Sequence, residues 1–253
     1  HQAEIHSALV RFNVIVAHRR FGKTVLAINS LIDAALRFDT YTRGQFGYLA
    51  PYQKQAKRIA WKYLLAYAMT IPGTIKNESE LWIEFLNGNR VSLYGADNSD
   101  AIRGIYFDGI VCDEVSDMKP VVWGEILRPA ISDRKGWVIF IGTPRGMDLF
   151  YELYEQALRE PTWFAALYRA DETNLPWLDA EELELARATQ SENQYRQEWL
   201  CDFSASTDNT LITIDMVSDA AKRHLNLKAL DGVPKILGVD VARFGDDRSV
   251  IIR

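Results

Sequence analysis

The chain has 253 residues, of which 48% are hydrophobic and 25% charged, and its formal net charge is −5. This composition is that of a globular protein with room for one large α/β domain and a fragment of another, and no apolar run approaches the roughly 20 residues that span a membrane. The negative charge argues against a protein held statically on DNA by bulk electrostatics, although a local basic face could still grip DNA.

Over the first 200 residues, short apolar strands alternate with amphipathic helices, which predicts a mostly parallel central sheet flanked by helices. Cys112 and Cys201 lie outside any CxxC pair and are interpreted as buried thiols of a reducing compartment. The predicted elements in chain order are a strand at 13–16, a helix at 23–36, a strand at 46–50, a helix at 53–68, a hairpin at 84–94 with its turn at Asn87-Gly88, strands at 109–112 and 137–141, a helix at 147–159, two helices within 179–200, a looser stretch at 204–234 and a strand at 236–239.

A phosphate-binding loop is predicted at residues 17–24, between the first apolar strand and the first amphipathic helix. In this context, backbone N–H groups and the positive end of the helix bind phosphates. Lys23 would reach the β- and γ-phosphates of ATP, and the Thr24 hydroxyl would ligate Mg²⁺. The alternative is a glycine turn with a solvated lysine. The predicted ATP-binding residues of the loop are Ala17, His18, Arg19, Arg20, Phe21, Gly22, Lys23 and Thr24.

Two features of this loop are unusual. Arg19 and Arg20 stand where their side chains could face the γ-phosphate, and Arg20 is therefore also a candidate catalytic residue; the alternative is a solvated pair beside an anion site. Ala17 occupies the position that usually holds the first glycine of the motif. The loop can accept alanine there if that residue avoids a positive φ.

An acidic pair ends the apolar strand at 109–112. Asp113 is placed to hold the Mg²⁺ shell, and Glu114, which points the other way, could polarise the water that attacks the γ-phosphate. The alternative is that the two carboxylates cap the following helix.

A third motif, Gly142-Thr143-Pro144-Arg145-Gly146, ends another core strand. The Thr143 hydroxyl could contact the γ-phosphate or the attacking water and couple hydrolysis to the next segment; the alternative is a plain strand-to-helix turn. Ring motors often supply an arginine to a neighbour's site. Arg103 is the candidate here, with Arg128 and Arg145 as rivals.

These pieces together resemble the large terminase subunits of tailed double-stranded DNA bacteriophages, and the similarity covers nearly the whole chain. The motifs that carry the resemblance, in order, are His18-Arg19-Arg20-Phe21-Gly22-Lys23-Thr24, Leu49-Ala50-Pro51-Tyr52-Gln53-Lys54-Gln55-Ala56-Lys57, Ile102-Arg103-Gly104, Cys112-Asp113-Glu114 and Gly142-Thr143-Pro144-Arg145-Gly146. No single motif is diagnostic, but the ordered set is specific.

The resemblance implies an ASCE-type P-loop NTPase core at 1–170, a helical lid subdomain at 171–203, a linker at 204–234 and, at 235–253, the first strands of an RNase H-like nuclease domain. It implies that Gln2 contacts the edge of the adenine ring and that Asp240 ligates a metal ion in an incomplete nuclease site. Asp246 and Asp247 are interpreted as turn residues. Because the other nuclease carboxylates would lie beyond Arg253, we expect no DNA cleavage by this chain.

The function implied is ATP hydrolysis, with Mg²⁺, that drives double-stranded viral DNA into a preformed capsid. The implied partners are DNA, a portal protein, a small terminase subunit and further copies of the chain in a ring. No membrane is implied. The implied location is the host cytoplasm and, transiently, the procapsid. A DNA-gripping surface could be formed by Lys54, Lys57 and Arg58. The alternative is that these residues belong to a solvated helix face.

Two other interpretations remain open. A helicase-type translocase shares the acidic pair and third motif but needs a second RecA-like domain, for which the chain after Leu200 shows no room. A nucleotide-gated DNA clamp with little turnover is favoured by Ala17 and disfavoured by Glu114, which a pure binder does not need.

Overall fold

The computed structural model describes residues 1–39, 42–205, 214–223, 238–240 and 250–252. The chain forms two compact units, His1–Ile214 and Asp215–Arg253. The first unit contains a large sheet with its helices. The second contains an antiparallel pair of short strands and most of one helix.

An eight-stranded sheet forms the centre of the first unit. Its strands are β1 (Phe12–Ala17), β2 (Gln45–Ala50), β3 (Ile75–Asn77), β4 (Trp82–Glu84), β5 (Arg90–Gly95), β6 (Gly109–Asp113), β7 (Trp137–Gly142) and β8 (Trp163–Tyr168). They run in the order β3-β4-β5-β2-β6-β7-β1-β8, and all neighbours are parallel except β3–β4 and β4–β5. The carboxyl ends of β6, β7 and β1 therefore lie side by side at one edge of the sheet.

Helices connect these strands. They are α1 (Gln2–Ala8), α2 (Lys23–Arg37), α3 (Gln53–Arg58), α4 (Ala60–Ala68), α5 (Arg128–Ala130), α6 (Leu149–Arg159), α7 (Ala170–Thr173), α8 (Ala180–Thr189), α9 (Glu192–Glu198) and α10 (Ile214–Lys222). Short 3₁₀ helices span Ala96–Ile102 and Val115–Asp117, and a π-helical segment spans Val122–Leu127. The strands of the second unit are β9 (Gly238–Asp240) and β10 (Val250–Ile252).

Both faces of the sheet are buried. On β1, Ile15 belongs to a hydrophobic cluster with Leu31 of α2, whereas Val14 belongs to a second cluster with Leu153 of α6. Because successive side chains of a strand point to opposite faces, a strand covered on both sides is a continuous apolar run. The predicted class, a mostly parallel sheet flanked by helices, is thus confirmed.

A small helical layer follows β8. Its helices α7, α8 and α9 bury a separate cluster that includes Leu178, Tyr195 and Trp199. Within the layer, Ala170 N of α7 donates to Trp199 O after α9 at 2.8 Å, and a second backbone hydrogen bond, from Arg19 N to Glu198 O at 2.9 Å, ties the layer to the loop after β1. The layer therefore has its own core and is fastened to the loop that follows β1.

The boundaries of two predicted helices are corrected. The single helix predicted at 53–68 is wrong, because Ile59 (φ −109°, ψ −67°) interrupts it between α3 and α4. β-branched side chains are poor in helices, and the break lets Ala56 and Trp61 be buried on separate helices. The helix predicted from 147 begins at Leu149, because the Asp148 side chain caps it by accepting hydrogen bonds from two backbone N–H groups.

Several elements were not predicted. Among them are the short helices α1, α5 and α7, the edge strand β3, the strand β8 at the opposite edge of the sheet, and α10, which lies inside the stretch predicted as loose. The strand predicted at 236–239 is described only over 238–240, where β9 pairs with β10. Residues 241–249, including Asp246 and Asp247, lie outside the described residues.

Candidate active site

The loop at 17–24 joins β1 to α2 at the carboxyl edge of the sheet. Ala17 is the last residue of β1, and the positive φ angles of this loop fall instead on Arg20 (69°) and Gly22 (91°). Alanine is therefore compatible with the position usually held by glycine. At Gly22 any other residue would be strained by the positive φ, and a Cβ there, 2.4 Å from the Gln2 side-chain nitrogen, would also displace that side chain.

Side-chain hydrogen bonds of Gln2 and His18 hold the loop in place. The Gln2 amide nitrogen donates to the carbonyl oxygens of Phe21 at 3.2 Å and Gly22 at 3.3 Å. The buried His18 ring contacts Arg19 O at 2.6 Å through Nδ1 and the Thr173 hydroxyl at 2.9 Å through Nε2. Burial lowers the pKa of His18, so its ring is neutral at pH 7.

Lys23 lies under the loop with 8% of its surface exposed. Its ammonium donates to Ala17 O at 3.1 Å, to His18 O at 3.1 Å and to the Thr143 hydroxyl at 2.7 Å. The Thr143 hydroxyl in turn donates to Ala17 O at 3.2 Å. The three N–H donors of the ammonium are thus matched by three acceptors, and the third motif directly contacts the phosphate loop.

Asp113, 3% exposed at the end of β6, accepts from three groups. Its Oδ2 accepts from the Thr24 hydroxyl at 3.1 Å and from the Tyr48 hydroxyl at 2.5 Å, and its Oδ1 accepts from Glu114 N at 3.0 Å. The hydroxyl and carboxylate oxygens of Thr24 and Asp113 are hard donors that fit Mg²⁺. Tyr48 was not among the predicted site residues.

Glu114 has a left-handed backbone (φ 55°, ψ 52°), which is uncommon for a residue other than glycine. Such backbone strain clusters at functional sites. Burial and then the negative charge of Asp113 raise the pKa of Glu114, while the positive charges of Lys23 and Arg145 oppose that rise. A carboxylate with a raised pKa is a suitable proton acceptor.

Of the three other arginines predicted to act at the site, two form ion pairs elsewhere in the chain. Arg19 forms an ion pair with Glu198 of α9 at 3.1 Å. Arg20 is exposed and forms no ion pair among the described residues. Arg103 pairs with Asp100 at 3.0 Å and approaches Glu125 at 3.9 Å.

The two rival arginines also have partners within the chain. Arg145 pairs with Asp117 at 2.6 Å, close to Glu114, and the Arg128 guanidinium lies 5.5 Å from the centre of the Phe12 ring. Neither Arg103 nor Arg128 contacts the phosphate loop within the part of the chain that is described.

Asp240 is the last residue of β9 and pairs in register with Val250. Across the described ranges, no group of three or more His, Cys, Asp or Glu side chains is arranged to hold a metal ion. None of the described helices is long and apolar enough to cross a membrane.

A loop between β1 and α2 that ends in a buried lysine, beside an acidic strand end, defines a P-loop α/β domain. The family model for the N-terminal region of the T4likevirus-type terminase large subunit matches residues 14–219. The chain belongs to this family.

Two of the similar sequences are also large terminase subunits. The large terminase subunit of Escherichia phage T5 is 30% identical over 251 residues, which cover 91% of this chain and 53% of the relative. The Thermus phage G20c subunit is 39% identical over 59 residues, or 23% of this chain and 12% of that protein. The chain thus spans about half the length of its T5 relative.

Two of the similar structures show the same fold. The large terminase ATPase domain of Thermus phage P74-26 has a TM-score of 0.67 at 21% identity, over 80% of this chain and 92% of that one. The large terminase of another thermophilic bacteriophage, in complex with ADP, has a TM-score of 0.66 at 19% identity, over 80% of this chain and 52% of that one.

Proposed function

We propose that this chain hydrolyses ATP with Mg²⁺ and that hydrolysis drives double-stranded DNA into a preformed phage capsid. The observation that carries the proposal is the convergence of Lys23, Asp113 and Thr143 from three adjacent strand ends. Membership of the terminase large subunit family supports it. So do the ADP and ATP-gamma-S complexes of the thermophilic bacteriophage terminase that has the same fold.

The phosphates of ATP would lie over the amides of residues 17–24. Lys23 would exchange its carbonyl partners for β- and γ-phosphate oxygens. Thr24 and Asp113 would hold Mg²⁺, which when bound neutralises charge on those phosphates. Gln2, already hydrogen-bonded to the loop, would contact the adenine edge with the part of its amide that faces away from the loop.

Glu114 would accept a proton from water as the water oxygen attacks the γ-phosphorus and the bond to ADP breaks. Arg20 would stabilise the transferring phosphoryl group from the same chain, and Arg103 would do so from a neighbouring copy. Because the Lys23 ammonium also donates to Thr143, loss of the γ-phosphate would change the hydrogen bonds of the segment after β7 directly. That segment leads into α6 and would carry the coupling to motion.

The whole assembly would include duplex DNA, a portal protein, a small terminase subunit and a ring of copies of this chain, in the host cytoplasm and transiently on the procapsid. We further propose the division into a P-loop core at 1–170, a lid at 171–203, a linker at 204–234 and the start of a nuclease domain at 235–253. Asp240 would be the first ligand of that nuclease site. This chain alone would not cleave DNA.

Glu114→Gln tests the proposal. It removes the proton acceptor and retains the shape of the side chain, so ATP hydrolysis should fall by about 10²–10⁴-fold while binding of a fluorescent ATP analogue persists. Lys23→Ala should weaken both. The control, Glu160→Gln at an exposed position after α6, should leave both unchanged. Persistent hydrolysis in Glu114→Gln would refute the base assignment, and no hydrolysis by the unmodified chain in the presence of DNA would refute the function.

A further inference from the structure

A row of three polar side chains joins α1 to α2. The His6 ring of α1 contacts the Ser30 hydroxyl at 3.3 Å through Nδ1 and Asp33 Oδ2 at 3.2 Å through Nε2. Because a carboxylate can only accept, Nε2 carries a proton and donates to Asp33, and in the neutral ring Nδ1 accepts from Ser30. Arg37 pairs with the other oxygen of Asp33 at 2.7 Å. Both ring nitrogens of His6 are therefore held by groups of one helix.

The row contains the residue types of a hydrolytic triad, but it does not act as one. In a triad, the histidine takes the serine proton while the serine oxygen attacks the substrate. Ser30 is 2% exposed in the interior of α2, so a substrate cannot reach its hydroxyl. The row therefore holds α1 in place and does not cleave a bond.

Gln2 lies one helical turn before His6, on the same side of α1. Its side-chain nitrogen donates to Phe21 O at 3.2 Å and to Gly22 O at 3.3 Å. An amide nitrogen has two N–H donors, and both are directed at carbonyl oxygens here, so the amide oxygen is the atom that can meet a ligand. Such an acceptor selects a base with an amino group. Adenine carries an exocyclic amino group where guanine and hypoxanthine carry a carbonyl oxygen.

Apolar packing alone does not fix the position of α1. Ile5 of α1 is 1% exposed and belongs to the same cluster as Leu31 of α2, but burial of apolar surface has no preferred direction. Gln2 and His6 line an open cavity of about 380 Å³ between the two helices, so the contact is not closely packed there. A helix of seven residues is also not stable by itself. Directional hydrogen bonds therefore set how α1 is turned, and those of His6 reach the body of α2.

We propose that His6 is a positioning residue that sets the preference of the nucleotide site for adenine. Its contacts with Ser30 and Asp33 would hold α1 in the register in which the Gln2 nitrogen meets the loop and the Gln2 oxygen faces the base. Without these contacts α1 would turn or slide along α2, and the Gln2 oxygen would no longer exclude a carbonyl group. The inference rests on the proposed function and deepens it, because it adds a residue that acts through Gln2 and not on the nucleotide.

Calorimetric titration with ADP and with inosine diphosphate tests the proposal, since the two ligands differ only in the base and neither titration requires hydrolysis. With Mg²⁺ present, the unmodified chain should bind ADP about tenfold more tightly, which is the effect of roughly one hydrogen bond. His6→Ala should lower this ratio of affinities toward that of Gln2→Ala. His6→Gln should restore the ratio, because its amide supplies a donor for Asp33 and an acceptor for Ser30.

Two other variants separate positioning from a folding defect. Ser30→Ala removes one partner of His6 and introduces a residue that favours helix, so the chain should fold and the ratio should fall part of the way. Ser7→Ala is the matched control on α1, where the Ser7 hydroxyl donates to Glu4 O of the same helix at 2.9 Å. It should keep the ratio of the unmodified chain. The melting temperature of each variant is measured in parallel.

An equal loss of affinity for both diphosphates in Ser30→Ala and His6→Ala, with the ratio unchanged, would overturn the proposal, because His6 would then only stabilise the fold. If His6→Ala does not fold, the ratio in Ser30→Ala decides in the same way. Equal binding of ADP and inosine diphosphate by the unmodified chain would also overturn the inference but would leave nucleotide hydrolysis standing. Binding of neither diphosphate would refute the proposed function itself, and the inference with it.

Discussion

Replacing Tyr48 by phenylalanine removes one hydroxyl from a buried position beside the acidic strand end. That hydroxyl donates to Asp113 Oδ2 at 2.5 Å. Burial and then the Asp113 charge raise the pKa of Tyr48 well above its ordinary value, so the hydroxyl stays protonated and acts as the donor. Hydrogen bonds to charged groups contribute about 1.5–3 kcal/mol. At about 2–4 °C per kcal/mol for a chain of this size, the melting temperature should fall by about 3–12 °C.

The same substitution should also affect the metal. Asp113 would keep its hydrogen bonds from Thr24 and from Glu114 N. It would lose the hydrogen bond from Tyr48 of β2, which helps to orient the carboxylate. Loss of such an outer partner typically costs about 10–100-fold in metal affinity. Binding of a fluorescent ATP analogue, measured with Mg²⁺ and with EDTA, should weaken only in the presence of Mg²⁺.

Tyr63→Phe is the control for both measurements, because Tyr63 is 39% exposed on α4. If Tyr48→Phe melts and binds Mg-nucleotide like Tyr63→Phe, the Tyr48–Asp113 bond neither stabilises the fold nor positions the metal ligand, and the reasoning is refuted.

Two further variants probe the loop and the base. Arg145→Gln removes a positive charge that opposes the raised pKa of Glu114, so that pKa should rise further. Since Glu114 would have to be ionised to act as the proposed base, the acid limb of the ATPase pH profile should move to higher pH, whereas Arg159→Gln should leave it in place. Ala17→Gly should retain hydrolysis, because Ala17 lies in extended strand, but should cost about 0.5–1 kcal/mol in a denaturant titration. An unmoved acid limb, or a gain in stability, would contradict these expectations.

Three predicted site residues, Lys23, Asp113 and Thr143, lie just after apolar runs. β1, β6 and β7 are buried on both faces, so each is a continuous hydrophobic segment, and Lys23, Asp113 and Thr143 follow such segments closely. Since carboxyl ends of adjacent parallel strands share an edge, these residues could be placed together before any coordinates were known. Their assigned chemical roles stay predictions.

Tyr48 could not be found in this way. It lies inside a strand, 65 residues from Asp113, and only the register of β2 against β6, with Tyr48 opposite Val111, brings its hydroxyl to the carboxylate. Arg19 illustrates the same limit, because its partner Glu198 comes from the distant α9. For β8 a signal was present, since Trp163–Tyr168 is an uninterrupted apolar run at the typical length of a strand.

The hydrogen bonds of Lys23 should affect how long ADP stays bound to the phosphate loop after hydrolysis. Its ammonium has a full set of protein acceptors, so an incoming triphosphate must displace them and gains less from the lysine than it would from an unpaired one. After cleavage, those acceptors are again within reach and compete with the diphosphate for the same cation. Under the proposed function, we therefore expect this geometry of the loop to favour departure of ADP and so shorten the interval between successive rounds of hydrolysis.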